Sequence, residues 1–200
     1  MITIGLTGSI GMGKSATSAM FARSGVPVFD ADRAVHVLYA GRAAPVIEAA
    51  FPGVVQDGKV DRQKLSAQVV GNPPEISKLE KLIHPMVHEE RVAFVAAAKS
   101  ARHSFIVFDI PLLFETGGQK RVDITVVVST DAQTQRQRVL ERPDMSEDKL
   151  NAILAKQMPD EEKRRRAHFI VDSSHGFAYA ERQVKQILRA IRPLVGKAGI

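Results

Sequence analysis

The sequence predicts an α/β fold built around a mostly parallel sheet. Five short apolar runs alternate with helical patterns, and none of these runs shows the polar alternation of a half-exposed strand. Strands that alternate with helices favour parallel pairing, because each crossover helix returns the chain to the same edge. The predicted strands are Ile2–Thr7, Val26–Phe29, Phe105–Asp109, Ile124–Ser129 and His168–Asp172.

The composition excludes several classes of protein. The chain has 200 residues, 44% hydrophobic and 25% charged, which is ordinary for a globular protein. It has no cysteine, so disulfides, thiolate zinc sites and cysteine nucleophiles are excluded. The apolar runs are too short to span a membrane, and the N-terminus lacks a signal-peptide pattern. We therefore expect a cytoplasmic protein that does not bind membranes; we expect a monomer, with an oligomer left open.

The charge balance favours an anionic partner. The formal net charge is +6 and the sequence pI is about 9.7, which suits nucleic acid, acidic lipid or a phosphorylated small molecule. Solubility alone is the alternative explanation. Aromatic residues are only 6% and no nucleic-acid-binding motif is present, so we expect no nucleic-acid partner.

The spacing of the predicted strands indicates two insertions. Helices are predicted over Lys14–Ser24 and Gly176–Leu194, but about 75 residues separate Phe29 from Phe105, far more than one crossover helix needs. We interpret this interval as a helical lobe; helices that merely cover the sheet are the alternative. Its helical patterns are Ala31–Tyr39, Pro45–Phe51, Asp61–Val70 and Pro85–Ser100.

The second insertion, residues 131–167, is basic. Pro143 and Pro159 divide it into two or three helical pieces, and we interpret it as a lid; a solvated helical pair is the alternative. Its cationic residues are Arg136, Arg138, Arg142, Lys149, Lys156, Lys163, Arg164, Arg165 and Arg166. The predicted division is thus a core of residues 1–30, 104–130 and 168–200, a lobe of residues 31–103 and a lid of residues 131–167.

A phosphate-binding loop follows the first predicted strand. Residues 8–15 match G-x-x-x-x-G-K-[ST], in which backbone N–H groups surround a phosphate and the next helix directs its positive end at the anion. Lys14 can reach the terminal phosphates of a nucleotide, and the Ser15 hydroxyl can bind Mg²⁺. The predicted ATP-binding residues are Gly8, Ser9, Ile10, Gly11, Met12, Gly13, Lys14, Ser15 and Ala16.

Carboxylates follow two other predicted strands. Asp30 and Asp32 follow the second strand, where ligands bind in open α/β sheets. One of them can orient an attacking hydroxyl and accept its proton, or one can cap the next helix. Asp109 ends the third strand and is predicted to bind Mg²⁺.

Further candidates come from the lobe, the lid and the segment after Asp109. Arg138 and Arg142 are spaced one helical turn apart and can stabilise a transferring phosphoryl group; a solvated face is the alternative. His84 and His88 have a spacing that can hold zinc, but no third ligand is evident. We therefore expect His84 to cap a helix beginning near Pro85 or to contact substrate.

Taken together, these residues resemble the dephospho-CoA kinase family over nearly the whole chain. The motifs that carry the resemblance are Gly5–Gly8 with the phosphate-binding loop, Asp30-Ala31-Asp32, residues 57–62 with Leu65, residues 82–85, residues 111–115, Gln135 with Arg138 and Arg142, Gln157, and Val171-Asp172. The resemblance implies a three-layer P-loop NTPase fold with a CoA-binding lobe and a lid. It also implies ATP- and Mg²⁺-dependent phosphorylation of the ribose 3′-hydroxyl of dephospho-CoA, the last step of coenzyme A synthesis.

The resemblance also implies residue roles. Asp32 would be the base with Asp30 beside it, Lys14 would bind phosphate, and Arg138 and Arg142 would act from the lid. The predicted substrate-binding residues are His84, Arg91, Pro111, Leu112, Leu113 and Glu115; Leu112, Leu113 and Phe114 can equally be core. The sequence departs from the family pattern at Ala16, where Thr is frequent, and at Ser173, where Asn is frequent.

Two other functions remain open from the sequence. One is a small P-loop kinase that phosphorylates a nucleoside, shikimate or gluconate, which would share the loop and lid but not the lobe. The other is a non-catalytic nucleotide switch or a nucleic-acid-binding ATPase, which the basic pI favours.

Overall fold

The computed structural model describes residues 1–195. The predicted core range 168–200 runs past this point, and its residues 196–200 lie outside the described part. Within residues 1–195, no helix is long and apolar enough to cross a membrane.

A five-stranded sheet forms the centre of the fold, as the sequence predicts. Its strands are β1 (Ile2–Thr7), β2 (Val28–Asp30), β5 (Phe105–Asp109), β6 (Ile124–Ser129) and β7 (Phe169–Asp172), in the order β2-β5-β1-β6-β7. β1 pairs in parallel with both β5 and β6, and β6 pairs in parallel with β7. The central strand β1 therefore delivers the chain directly into residues 8–13, in the middle of the sheet's carboxyl edge.

Helices α1 (Lys14–Arg23) and α9 (Phe177–Ile191) pack on this sheet. The apolar face of α9 has helical spacing, and its buried residues are Ala180, Val184, Ile187 and Ile191. They join Met20 and Phe21 of α1 and the apolar strand side chains in one buried cluster. Burying these side chains fixes where α1, and so the end of the phosphate-binding loop, sits on the sheet.

The described chain divides into two compact units, residues 1–29 with 98–195 and residues 30–97. The second unit contains α2 (Ala31–Tyr39), α3 (Ala44–Ala50), β3 (Val55–Gln56), β4 (Lys59–Val60), α4 (Arg62–Val69) and most of α5 (Pro73–Ser100). It has its own core, formed by Leu38, Ala43, Ala44, Ile47, Phe51, Val54, Val60, Leu65, Val69 and Ile83.

The second unit differs from the prediction in two places. β3 and β4 form an antiparallel hairpin whose turn is Asp57 and Gly58, at φ 49° and 73°; Asp-Gly is a strong signal for such a turn. The predicted helix start at Pro85 is wrong, because α5 continues through it from Pro73. Pro85 removes one backbone hydrogen bond, but Leu79, Leu82, Met86 and Val87 pack against the core on both sides of it, and this packing keeps the helix continuous.

The segment predicted as a lid contains three helices, α6 (Ala132–Leu140), α7 (Glu147–Leu154) and α8 (Asp160–Arg166). Pro143 and Pro159 lie between them, as predicted. Asp131 and Ser146 cap α6 and α7 by accepting hydrogen bonds from Thr134 N and Lys149 N. We refer to residues 131–167 as the lid segment.

Candidate nucleotide-binding site

The phosphate-binding loop links the end of β1 to the start of α1, and two of its glycines have a backbone that disfavours any other residue. Gly11 and Gly13 have φ of 79° and 90°, in the left-handed region. A Cβ atom on Gly11 would lie 2.6 Å from Cγ2 of Val139 in α6, too close for real atoms. The loop is therefore closely packed against α6, and Gly13 turns the chain into α1 as its N-cap residue.

Lys14 and Asp109 form an ion pair at the end of the two central strands β1 and β5. Their side chains are 18% and 4% exposed, so this pair is well shielded from water. Ser15 follows in the first turn of α1 and is exposed. The structure thus pairs the cation that the sequence predicts for phosphate with the carboxylate that it predicts for Mg²⁺, and Ser15 is the next residue after Lys14.

Ser173, just after β7, connects the loop to the lid segment. Its Oγ donates to Met12 O at 2.8 Å and accepts from Nη1 of Arg138, also at 2.8 Å. Nη2 of Arg138 donates to Ser173 O at 2.9 Å. These contacts hold Arg138 beside the loop, and they show that Ser, the residue in which this sequence departs from the family pattern, makes the connection with its hydroxyl.

A cleft of about 270 Å³ opens between the loop, α6 and the start of α9. Gly13, Arg138, Arg142, Ser173 and Phe177 are among the residues that line it. The Phe177 side chain is 74% exposed, so an aromatic face is available for stacking on a flat ligand. The cleft combines this face with two guanidinium groups, as a site for a planar, anionic molecule would.

Two glutamines hold the peptide groups of Ile10 within the loop. Nε2 of Gln135 in α6 donates to Ile10 O at 2.7 Å. Ile10 N donates to Oε1 of Gln157, just after α7, at 3.2 Å. Two side chains of the lid segment therefore hold the loop, and both of them bind the backbone of the same residue, Ile10.

The segment after β5 has mixed surroundings. Pro111 O accepts a hydrogen bond from Thr7 Oγ1 at 3.0 Å, Leu112 is 40% exposed, and Leu113 is fully buried. Of the two roles open for Leu113, the structure assigns it to the core, where it packs against Gly5.

The Glu115 carboxylate is held by two groups of the lid segment. Oε1 of Glu115 accepts from Met158 N at 2.8 Å and lies 3.0 Å from Nζ of Lys163. Burial raises the pKa of Glu115, but the backbone N–H groups of Met158 and Glu115 and the nearby Lys163 ammonium lower it by more, so that the pKa lies below its ordinary value.

Asp30 and Asp32 have different surroundings within the second unit. Asp30 caps α2, because its Oδ1 accepts from Arg33 N at 3.0 Å. Asp32 is exposed in the first turn of α2, and among residues 1–195 no side chain pairs with its carboxylate. The Asp30 carboxylate therefore caps the helix, whereas the Asp32 carboxylate pairs with no side chain among residues 1–195.

The predicted substrate-binding residues of the second unit lie on one helix. His84 is exposed in the middle of α5, so it does not cap a helix. Arg91 lies two turns along, where its Nη2 is 3.0 Å from Nδ1 of His88. In the part of the chain that the structure describes, no three His, Asp or Glu residues are grouped as a metal site.

Sequence reasoning did not assign a role to several residues of the site. The contacts of Ser173, Gln157 and Lys163 depend on how the lid segment returns to the sheet, which no local pattern shows. Phe177 had a local signal, since it is a large aromatic residue directly after Gly176 at the start of a helix.

Comparisons with known proteins identify what this arrangement is similar to. The family model described as dephospho-CoA kinase matches residues 2–178. A dephospho-CoA kinase from Bradyrhizobium diazoefficiens is 59% identical over 191 residues, covering 96% of each chain.

Solved structures agree with the fold. The crystal structure of TT1252 from Thermus thermophilus matches with a TM-score of 0.78 and 30% identity, covering 96% of this chain and 97% of that one. A dephospho-CoA kinase from Campylobacter jejuni matches with a TM-score of 0.68 and 22% identity, covering 94% and 96%. The second likeness concerns the fold alone.

Proposed function

The chain belongs to the dephospho-CoA kinase family, and from this premise we propose how its own residues transfer the γ-phosphoryl group of ATP to the ribose 3′-hydroxyl of dephospho-CoA. In this reaction the 3′-oxygen forms a bond to the γ-phosphorus, the bond to the β,γ-bridging oxygen breaks, and the hydroxyl proton is taken up by a base. The products are coenzyme A and ADP. The enzyme contributes mainly by positioning the reactants and neutralising charge.

ATP is proposed to bind the first unit with its phosphates in the loop of residues 8–15. The N–H groups around Gly11 and Gly13 and the Lys14 ammonium supply positive charge there. The adenine is proposed to lie against Phe177 in the cleft, because the cleft begins at the loop and offers this aromatic face. The loop and the cleft would then form one continuous surface that binds the whole nucleotide.

Mg²⁺ is proposed to bind Ser15 and Asp109. A hydroxyl and a carboxylate are the hard oxygen ligands that Mg²⁺ prefers, and Mg²⁺ commonly takes its remaining ligands from water and phosphate. When bound, the ion neutralises charge on the phosphate oxygens. Asp109 is paired with Lys14. The Lys14 ammonium group and an ion held by Asp109 would therefore both act on the phosphates.

The lid segment is proposed to supply Arg138 and Arg142 to the phosphoryl group. Both line the cleft, and Arg138 is held there by Ser173. A guanidinium group that is already oriented stabilises developing charge without reorganising.

Asp32 is proposed as the base. The support is that Asp30 already caps α2, which leaves Asp32 as the carboxylate of the pair that can accept a proton. The second unit is proposed to bind dephospho-CoA, with His84 and Arg91 of α5 as contacts.

The ion pair of Lys14 and Asp109 at the phosphate-binding loop, in a chain of this family, carries the proposal. The direct test is to measure ADP formation by purified protein with Mg-ATP, with and without dephospho-CoA. Adenosine, shikimate and gluconate serve as comparison acceptors.

We expect strong stimulation by dephospho-CoA alone, with coenzyme A as the product. Stimulation by one of the other acceptors instead would show that the chain's substrate differs from that of its family. No stimulation by any acceptor, with ADP binding retained, would leave only nucleotide binding.

A further inference from the structure

Helix α8 carries a buried lysine that the proposed chemistry does not use. The Lys163 side chain is 0% exposed, and Nζ lies 3.0 Å from Oε1 of Glu115. The pair is not aligned as a hydrogen bond, and Nζ and Oε2 of Glu115 have no hydrogen-bond partner among residues 1–195. A buried ion pair of this kind is weak evidence for stability, because removing two charges from water costs as much as their attraction returns. Its presence calls for another role.

The pair holds one short piece of backbone. The Glu115 oxygen that faces Lys163 also accepts from Met158 N at 2.8 Å. Met158 lies between α7 and α8, where no helical hydrogen bond holds it. Lys163 thus fixes Glu115, and Glu115 fixes the backbone at Met158.

The neighbouring residue reaches the phosphate-binding loop. Oε1 of Gln157 accepts from Ile10 N at 3.2 Å, while Gln135 holds Ile10 O from the opposite side. The orientation of the Ile10 peptide groups, directly before Gly11, therefore depends on where Gln157 is placed.

We propose that Lys163 and Glu115 are positioning residues for the phosphate-binding loop, and that they act by fixing Met158 so that Gln157 holds the Ile10 N–H. The inference rests on the proposed function only in taking the loop to bind ATP. It assigns the pair an effect on nucleotide affinity, because a loop that is already in its binding conformation loses less entropy when the phosphates bind.

A second contact attaches α8 to the sheet independently of the Lys163 pair. The effect of the pair on the loop can therefore be distinguished from detachment of the helix. Ser129 Oγ at the end of β6 donates to Oδ2 of Asp160 at 2.6 Å. This bond docks the start of α8 on the sheet without touching Gln157 or Met158. Helix α8 therefore keeps an anchor when the Lys163 pair is changed.

The test uses variants that remove both charges, since Lys163 alone would be left buried and unpaired. In Glu115→Leu with Lys163→Met, apolar side chains replace the buried ion pair, and Met158 N loses its acceptor. In Glu115→Gln with Lys163→Met, the charges are also gone but an amide oxygen remains for Met158 N. Glu161→Gln is the matched control, because Glu161 lies on the same helix with its side chain 84% exposed.

The readouts are ADP affinity by calorimetry, KM for ATP, kcat and melting temperature. We expect the Leu–Met variant to weaken ADP binding and raise KM for ATP by about three- to tenfold, the size of one hydrogen bond. The Gln–Met variant and Glu161→Gln should keep the affinity for ADP within about twofold of the parent.

Adding Gln157→Ala completes the test. Gln157→Ala alone should raise KM for ATP by the same factor, and combining it with the Leu–Met variant should add nothing, because both break one chain of contacts. Independent, multiplying effects would overturn the proposal. So would equal effects of the Leu–Met and Gln–Met variants, or a lower melting temperature with unchanged ADP affinity.

Gln157→Ala changes no buried charge, so it tests the loop contact even if the pair variants fail to fold. An unchanged ADP affinity in that variant would also overturn the proposal. If the parent protein binds ADP but does not phosphorylate dephospho-CoA, the proposed function fails while ADP affinity still tests this inference.

Discussion

Asp30 and Asp32 lie two residues apart, yet their surroundings suit them to different tasks. Asp30 accepts the hydrogen bond of Arg33 N at the start of α2, and Asp32 is exposed one position into the helix. From the sequence alone either residue could be the cap. The backbone settles it, because an N-cap residue needs an extended conformation, and Asp30 has φ −103° and ψ 110°.

We expect Asp32→Asn to lower kcat by at least about two orders of magnitude, because an amide cannot accept the proton. ADP affinity should be retained, since nothing in the nucleotide cleft is changed. Steady-state kinetics with calorimetry tests this; activity within about threefold of the parent would mean that Asp32 is not the base.

Asp30→Ala should lower the free energy of unfolding by about 1 kcal/mol, the usual loss for a helix cap. Asp30→Ser should recover most of this loss because its hydroxyl can also cap. Urea unfolding of the three proteins measures the effect. If kcat fell equally in both variants while stability was restored by Ser, Asp30 would have a chemical role beyond capping.

Arg138 and Arg142 also differ, since Ser173 orients only Arg138. We expect Arg142→Ala to lower kcat by about 10²- to 10³-fold, because it removes charge stabilisation of the transferring phosphoryl group. Lys149→Ala is the control, as another exposed cation of the lid segment. A raised KM with unchanged kcat would make Arg142 a residue that binds the ground state.

The contacts of single residues can be predicted from the sequence only where a local pattern determines them. The pairing of Lys14 with Asp109 fits what the sequence predicts, because the loop motif places Lys14 and the end of an apolar strand places Asp109. The sequence places Lys163 only among the cationic residues of the lid, and the structure buries it completely. Its partner Glu115 is far away in sequence, and a pairing of that kind leaves no periodic signal.

At the scale of elements, strands were predicted best. β1, β5 and β6 have the predicted bounds, because strands buried on both faces are apolar along their whole length. The β3–β4 hairpin was missed because its strands have two residues each, too few to show alternation. Only the part of α5 from Pro85 onward is predicted, because local propensity favours a helix start at a proline and does not show the packing on both sides of it.

Pro85 gives a prediction for α5. Pro85→Ala should raise the free energy of unfolding by about 1–3 kcal/mol, since it restores one helical hydrogen bond and removes a clash with the preceding turn. Urea unfolding measures this, with Pro74→Ala in the first turn of α5 as a control that should change little. A less stable Pro85→Ala protein would show that the helix is fitted to the proline.

For the whole molecule, carboxylates with lowered pKa predict acid sensitivity. Hydrogen bonds from Gly53 N and Val55 N lower the pKa of Glu48, and the pKa of Glu115 is also lowered. Below about pH 4.5, the unfolded chain binds more protons at these sites than the folded chain. Stability should therefore be fully present above this pH and be lost as pH falls through the folded-state pKa values.

Urea midpoints between pH 7 and pH 3 test this dependence. The Glu115→Gln, Lys163→Met variant should show a shallower decline, because one of the responsible carboxylates is gone. A parent midpoint that stayed constant or rose in acid would contradict the prediction.

The strand order also has a consequence for how the chain folds as it is made. Ile2 pairs with Phe105, so β1 has no partner on the β5 side until more than a hundred residues have left the ribosome. Residues 30–97 form a contiguous unit with its own core, and the whole unit has been synthesised by then. We expect this unit to fold first. In pulse-labelled hydrogen exchange during refolding of the full chain, its amides should become protected before those of β1. The strand that leads into the phosphate-binding loop would then be synthesised before this unit and buried after it.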